Sequence, residues 1–383
     1  MACGRSELEL YVHLPFCVRK CRYCDFLSGP QYAKGPYLEA LEREIASYGP
    51  AAEDFRVRSI FFGGGTPSLL TPQEWEELAG VIRAHYMIDA GAEITAEANP
   101  GTLDREKLRC LKELGVNRLS LGLQSVRDEE LRLLGRIHSY DDFLRTWEAV
   151  GEAGFTNRNV DLMQALPGQN LAECLESVRT VAELGPEHIS AYSLIIEEGT
   201  PFYELYAGGE GLPSEDTERE MVHETAALLA SYGYEHYEIS NYARPGRECR
   251  HNLGYWTGVP YLGFGMGAAS LFGGERRSNC RDYERYVRLA GSREACEDVT
   301  EWDRKSQMEE MMFLGLRLVR GVSEETFAGR FGVTMQEVYG PVIERFAGLG
   351  LLETREGRLR LTERGMDVSN AVMAEFLLEE TDG

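Results

Sequence analysis

From Leu8 to about residue 240, short apolar and β-branched runs alternate with longer stretches whose apolar positions recur every three or four residues. The short runs Leu8–Leu14, Val57–Phe62, Glu93–Ala98, Arg118–Leu123, Val160–Met163 and His188–Leu194 predict strands. The stretches near 36–48, 73–86, 104–114, 140–153 and 171–184 predict helices. Gly49-Pro50, Gly115, Gly154 and Gly185-Pro186 stand where those helices should stop, and Thr71-Pro72 and Leu103-Asp104 where helices should start. Strand–helix repetition at this spacing implies parallel strands joined by crossover helices. So many units suit a complete or partial (β/α) barrel of the TIM type, with an open doubly wound sheet as the alternative that periodicity leaves.

The far end has a different texture. Residues 305–320 read as an amphipathic, Met-rich helix, and Ser323–Phe331 and Thr334–Leu349 as two helices around Gly332. Leu351–Thr354, the turn Glu356-Gly357 and Arg358–Leu361 read as a hairpin, after which Thr362 caps a last helix over 363–378. Helix, helix, hairpin, helix resembles a small α+β winged-helix module. It carries no basic stripe, so packing or interaction is expected of it rather than DNA binding. The expected division is a barrel over 1–240, a connecting segment over 241–300 and the winged-helix-like module over 301–383.

Composition narrows the function. In 383 residues, 43% hydrophobic and 27% charged, the balance is that of an ordinary globular chain. Sixty-three acidic against 40 basic residues give a net charge of −23, which argues against nucleic acid held through its phosphates and against an anionic membrane surface. No apolar run is long enough to span a bilayer, and Met1–Ser6 lacks the apolar core of a signal peptide. The expected compartment is the cytosol, where nine cysteines read as metal ligands or free thiols rather than disulfides.

The sharpest local signal is Cys17-Val18-Arg19-Lys20-Cys21-Arg22-Tyr23-Cys24, directly after the first strand, where a barrel builds its active site. A structural zinc site wants four closed ligands. Three thiolates without a fourth nearby fit a [4Fe–4S] cluster with one iron left open to a chelating cofactor. The spacing leaves open three reduced thiols, or zinc completed by His13 or a distant residue. Cys3, Cys110, Cys174, Cys249, Cys280 and Cys296 are scattered and read as free thiols.

The other strand ends are polar too. They carry Gly63-Gly64-Gly65-Thr66-Pro67, Glu97-Ala98-Asn99-Pro100, Gln124-Ser125, Asp161, and Ser190, Tyr192 and Ser193. Each alone is an ordinary cap or loop residue. Together they form a polar ring over one barrel mouth, on the face of the cysteines.

Tyr11–Cys17, the cysteine triplet and Gly63–Pro67 together resemble the radical S-adenosylmethionine superfamily. Arg118–Ser125, Leu134-Gly135-Arg136-Ile137-His138 and Asp161–Gln169 resemble its branch of oxygen-independent coproporphyrinogen III oxidases and HemW-type heme chaperones. The resemblance runs from Tyr11 to about Ser270 and returns in the C-terminal module. It implies that Cys17, Cys21 and Cys24 hold a [4Fe–4S] cluster whose open iron is chelated by S-adenosylmethionine. It also implies that Tyr11, Tyr23, Gly64, Gly65, Thr66, Glu97, Gln124, Arg136, Asp161, Tyr192 and Ala269 line the S-adenosylmethionine site. These types suit it: glycine backbone meets the ammonium, carboxylates accept from ammonium and ribose hydroxyls, and Arg136 suits a carboxylate. No catalytic residue is assigned beyond these.

Two departures separate the chain from the oxidases. Phe26 stands where they carry another cysteine, and only ten residues precede Tyr11, in place of their long extension. Both match the chaperone branch. Cys249-Arg250-His251-Asn252-Leu253-Gly254-Tyr255-Trp256 resembles that branch's heme-linked motif. By that resemblance His251 is the expected axial ligand, Cys249 a second candidate, and Tyr255 and Trp256 the walls of the porphyrin. Read from residues alone, a histidine amid Asn and aromatics is also a hydrogen-bonded structural residue. The resemblance further implies heme, heme-accepting proteins of respiratory type and a one-electron donor such as flavodoxin or ferredoxin as partners, and a homodimer. A porphyrin-directed radical enzyme is the alternative, and a zinc-bearing barrel with an interaction module the third reading.

Overall fold

The computed structural model describes residues 5–378. Cys3 and most of the Met1–Ser6 segment therefore lie outside the described residues. The six expected strands form β1 (Ser6–Leu14), β2 (Phe55–Gly64), β3 (Ile88–Ala98), β4 (Arg118–Gln124), β5 (Arg158–Gln164) and β6 (His188–Ser193). They pair in parallel in chain order. Helices Lys34–Tyr48, Pro72–His85, Arg105–Glu113, Tyr140–Glu152 and Leu171–Leu184 make the crossovers. Thr71 closes a capping box with Glu74, and the Asp104 carboxylate accepts from the Lys107 amide. Gly185 caps its helix in the left-handed conformation. Gly49 instead keeps right-handed dihedrals, so that helix does not stop there but tightens into a 3-10 turn over Gly49–Ala52.

Six further strands extend the sheet: β7 (Glu235–Glu238), β8 (Asn241–Ala243), β9 (Tyr261–Phe264), β10 (Ala269–Phe272), β11 (Glu275–Asn279) and β12 (Cys296–Glu301). The order is β12-β11-β10-β9-β1-β2-β3-β4-β5-β6-β8-β7. β9 lies parallel beside β1, whereas the flanks beyond β9 and β6 are antiparallel. The result is a partial barrel: twelve strands in one sheet whose edges, β12 and β7, do not pair with each other.

Period-two alternation sorts the two faces. Leu8, Leu10 and Val12, Leu119 and Leu121, and Val160 and Leu162 face outward into the core shared with the helices. The intervening residues, Glu9 and Tyr11, Ser59, Glu93 and Glu97, Arg118 and Ser120, Asn159 and Asp161, and Ser190, face inward. The barrel interior is thus polar and must be satisfied by side chains or ligand. Part of it is plugged by the helix Arg250–Thr257. Its first amides, those of Arg250 and His251, donate to the Glu93 carboxylate at 2.9 and 3.4 Å. Gly254 leaves room for Glu9, since a Cβ there would come within 2.0 Å of Glu9 Oε1.

The C-terminal module has its own core around Phe327, Tyr339, Leu359 and Phe376. Helices Arg304–Gly315, Glu324–Phe331 and Met335–Gly348 pack on β13 (Val322–Ser323), β14 (Leu352–Arg355) and β15 (Arg358–Leu361), in the order β13-β15-β14. The expected last helix is two, Glu363–Asp367 and Ser369–Ala374, because Val368 leaves helical dihedrals at φ −123°. The module joins the barrel through backbone bonds from Ile239 N to Arg317 O and from Val319 N to Tyr237 O.

Candidate functional site

The cysteine loop is pinched at its base. Gly29 N donates to Pro15 O at 2.8 Å and Cys17 N to Gly29 O at 3.2 Å, so the residues between bulge over the strand C-termini. The triple-glycine segment seals against the same base: Gly65 N donates to Leu14 O and Thr66 N to Phe16 O, each at 2.8 Å. On the far side, Arg22 N donates to Leu134 O, and Arg19 Nη2 reaches Gly135 O at 2.7 Å. Three segments separated in sequence thus fix one loop.

Cys17, Cys21 and Cys24 are half-buried free thiols. Arg136 Nη1 donates to Cys21 Sγ at 3.6 Å, and Thr66 Oγ1 to Cys17 Sγ at 3.8 Å. Asn99 joins these two donors, bonding Thr66 Oγ1 through its amide nitrogen at 2.8 Å and Arg136 through its oxygen. Burial pushes the Cys24 thiol up. Among the described residues, no three or more His, Cys, Asp or Glu side chains converge tightly enough for a single metal ion. One zinc ion would need such convergence. A cuboidal cluster takes each thiolate on a different iron and does not. The donor set, three thiols with cationic and hydroxyl donors aimed at two of the sulfurs, fits an anionic cluster.

Beneath the loop lies a cavity of about 370 Å³. Tyr23, Gly64, Gly65, Thr66, Glu97, Gln124, Arg136, Asp161 and Tyr192 all line it, together with the three cysteines. Tyr11 and Ala269 do not; they line a second cavity of about 490 Å³. In the first, the Gly64 amide donates to Glu97 Oε2 at 3.1 Å, and the Tyr192 hydroxyl to Gln124 Oε1 at 2.8 Å. Gln124 reaches its place through a left-handed backbone, φ +75°, at an irregularity in the β4–β5 ladder. Burial, with the neighbouring Asp161 carboxyl adding to it, pushes Glu97 up to about 8. Asp161 is also raised by burial, against hydrogen bonds from Asn159 and Ser120.

Sequence reasoning missed several lining residues, Arg118, Ser120 and Asn159 among them. Arg118 is buried, and its Nε has no hydrogen-bond partner among the described residues. A buried arginine at an inward position of β4, opposite the apolar outward ones, is the signal that marks it. Two carboxyls, three arginines, backbone amides and three thiols around one cavity suit a zwitterion carrying hydroxyl groups.

The four expected heme residues are divided. His251 and Cys249 are buried, whereas Tyr255 and Trp256 line the second cavity. His251 Nδ1 pairs with Ser59 Oγ and Nε2 with the Tyr255 hydroxyl, each at 2.9 Å. The Cys249 thiol faces Glu93 Oε1 at 3.6 Å, and burial pushes it up to about 12. Neither candidate ligand lines either of these two cavities.

The family model of the radical SAM superfamily matches residues 11–181, and that of the HemN C-terminal domain residues 302–368. The heme chaperone HemW of Bacillus subtilis is 38% identical over 374 residues, 96% of this chain and 99% of that protein. HemW of Lactococcus lactis is 36% identical over 97% of each chain, and HemW of Escherichia coli 34% identical over 97% of this chain and 98% of its own. Among solved structures, the radical SAM enzyme coproporphyrinogen III oxidase HemN from Escherichia coli superposes with a TM-score of 0.84, covering 98% of this chain and 91% of that one. At 24% identity that likeness shows the fold.

Proposed function

This chain belongs to the HemW family of radical S-adenosylmethionine proteins, and from that premise we propose that it is a heme chaperone, binding heme and passing it to acceptor heme proteins of respiratory type. The observation that carries the reading is an adjacency. The helix Arg250–Thr257 plugs the barrel between the two cavities, turning Asn252 to the first and Tyr255 and Trp256 to the second. A ligand in the second cavity would sense, through one rigid element, whether the first is filled.

Cys17, Cys21 and Cys24 would hold a [4Fe–4S] cluster. When bound, that cluster supplies a single electron at low potential and an open iron site for S-adenosylmethionine. The chain's own residues would do the rest. Arg136 would offset thiolate charge, and the Thr66 hydroxyl would donate to Cys17 Sγ. Glu97 and Asp161 accept from the ammonium and ribose hydroxyls, with Gly64 and Gly65 allowing close backbone approach. Tyr23 and Tyr192 exclude water. Arg118 supplies positive charge at the cavity wall. The exposed Val18 and Ile137 beside Arg19 and Lys20 would receive an acidic one-electron donor of flavodoxin or ferredoxin type. No helix among the described residues is long and apolar enough to cross a membrane, and a cytoplasmic site of action suits the reading. A homodimer and the three-part division 1–240, 241–300 and 301–383 complete it.

The test is anaerobic reconstitution of the full chain, with iron, sulfide and heme quantified on one sample, then transfer of bound heme to the apo form of a respiratory heme protein. Heme uptake and transfer with the porphyrin mass unchanged is expected. A changed porphyrin mass would instead mark a porphyrin-directed enzyme, and failure to bind heme would end the chaperone reading.

A further inference from the structure

The first cavity reaches deeper than the residues expected to hold S-adenosylmethionine. On β4 the expected residue is Gln124, at the cysteine end, whereas Arg118 begins the strand, about 20 Å away along it. The ladder register sets the depth. Ser120 lies level with Glu97 and Asn159, and Arg118 one inward position below them. Gln124 and Arg118 line one cavity, so it runs as a well from the cysteine loop to the base of the barrel.

Arg118 is 2% exposed, yet its Nε has no hydrogen-bond partner and its guanidinium makes no ion pair among the described residues. The two carboxyls whose charge it feels, Glu93 and Asp161, are turned to other donors. Glu93 Oε1 accepts from the Arg250 amide at 2.9 Å. Asp161 accepts from Asn159 Nδ2 at 2.7 Å and from Ser120 Oγ at 3.2 Å. A buried guanidinium without a contact partner is unfavourable, and an anion entering the well relieves it. Asn241 lines the same well; its Nδ2 is taken by Glu238, and its Oδ1 is buried without a partner. The well thus holds an unmatched cation and an unmatched acceptor.

These two groups define a ligand class. One arginine flanked by two carboxyls suits a single negative charge, not the doubled charge of a phosphate. The planar guanidinium fork fits a carboxylate, and an amide oxygen takes a hydroxyl. We propose that the base of the well is a subsite for a small hydroxylated monocarboxylate, its carboxylate on Arg118 and a hydroxyl on Asn241 Oδ1, filled together with S-adenosylmethionine and not by it. Asn252 of the plugging helix lines the same well, so the ligand would bear on that helix from the barrel side. The subsite goes beyond the chaperone reading and does not depend on heme.

Glycerate serves as the probe, titrated calorimetrically into the anaerobically reconstituted full chain with and without S-adenosylmethionine. Binding of equal affinity in both is expected. Propionate, which lacks the hydroxyls, should bind several-fold more weakly, and glycerol and inorganic phosphate about tenfold more weakly. Arg118→Met, uncharged and of similar reach, should weaken glycerate about tenfold, and Arg118→Lys less. Melting of the glycerate-free protein separates binding from structure. Removing an unpaired buried charge should leave the melting temperature of Arg118→Met unchanged or raised, and glycerate should raise that of wild type alone. Displacement of glycerate by S-adenosylmethionine would make Arg118 part of that cofactor's site and overturn the subsite. So would wild type that binds no glycerate, or equal glycerate affinity in Arg118→Met. A melting temperature of Arg118→Met well below wild type would show that the fold itself needs the arginine and overturn it too. Phosphate binding as tightly as glycerate would overturn the assignment to a carboxylate, and propionate binding as tightly would overturn the contact with Asn241.

Discussion

The imidazole of His251 and the hydroxyl of Tyr255 are hydrogen-bonded at 2.9 Å, one helical turn apart, with Ser59 Oγ on the other ring nitrogen. Burial drives the His251 pKa down to about 3, with Arg118 and Arg58 adding to it, so the ring is neutral and donates to one partner while accepting from the other. Iron ligation through His251 Nε2 would have to displace the Tyr255 hydroxyl. Tyr255→Phe removes that competitor. It should tighten hemin binding several-fold in a Soret titration, while costing about 1 kcal/mol of stability for the lost hydrogen bond. Weaker binding would instead make Tyr255 itself the contact.

Replacing the ring has a structural cost that must be separated from any heme effect. His251→Ala strands Ser59 Oγ and the Tyr255 hydroxyl and empties space against Phe61, which stacks on the ring at 5.2 Å. A loss of roughly 2–4 kcal/mol is expected from cavity and unpaired polar groups. Urea unfolding of the heme-free protein measures it. A loss under 1 kcal/mol would mean that the helix repacks freely.

Glu9 makes the same plug sensitive to pH. Its carboxyl is buried, with Oε1 3.4 Å from Arg58 Nε, and burial pushes its pKa up to about 9, opposed by Arg58 and Ser59 and reinforced by Glu93 and Glu7. His251 Nδ1 lies 3.9 Å from Glu9 Oε2. A folded pKa above the unfolded one means that the native state binds the proton more tightly. The stability from this is complete below about pH 4.5 and lost as pH rises through about 9. Melting temperature should therefore fall between pH 6 and pH 9, and Glu9→Gln should flatten that slope. An identical slope in the variant would place the ionisation elsewhere.

The same helix shows where sequence reading stops. The outward faces of β1 to β6 are legible because Leu, Ile and Val alternate there against polar inward positions, and the cysteine triplet is legible because its spacing carries the chemistry. The helix Arg250–Thr257 is not, because its buried residues, His251 and Gly254, meet the polar interior formed by Glu9 and Ser59, which leaves no apolar stripe to detect. β9 to β12 are short and set among glycines. β11 follows the Gly273-Gly274 turn as a charged strand whose role is decided by β10 and β12 on either side. Arg118 and Asn159 were hidden because an inward polar residue looks, in sequence, like an exposed one.

Arg136 ties the cysteine loop to the sheet. It reaches Cys21 Sγ, Asn99 Oδ1 and the Gly122 carbonyl at once. Lysine keeps the charge but not the fork of donors. Arg136→Lys should lower the iron retained after anaerobic reconstitution, and Arg136→Ala should lower it further, measured by iron assay and the visible absorbance of the cluster. Full iron content in the alanine variant would make the arginine a ligand-binding residue only.

Gly65 is the tightest test of the glycine loop. A Cβ there would lie 2.6 Å from Phe16 O and 2.9 Å from Leu14 O, both backbone atoms at the base of the cysteine loop. Neither can swing aside as a side-chain tip would, because Gly65 N and Thr66 N are bonded to those same two carbonyls. Gly65→Ala must therefore part the loop from β1 and shift Thr66 away from Cys17. Calorimetric titration with S-adenosylmethionine should show at least a tenfold loss of affinity, about 1.4 kcal/mol. Gly101→Ala is the control, a glycine with open space where its Cβ would go but φ +79°, so backbone strain alone is tested there. If Gly101→Ala lowers the affinity as much as Gly65→Ala, general destabilisation and not closure of the loop base is responsible.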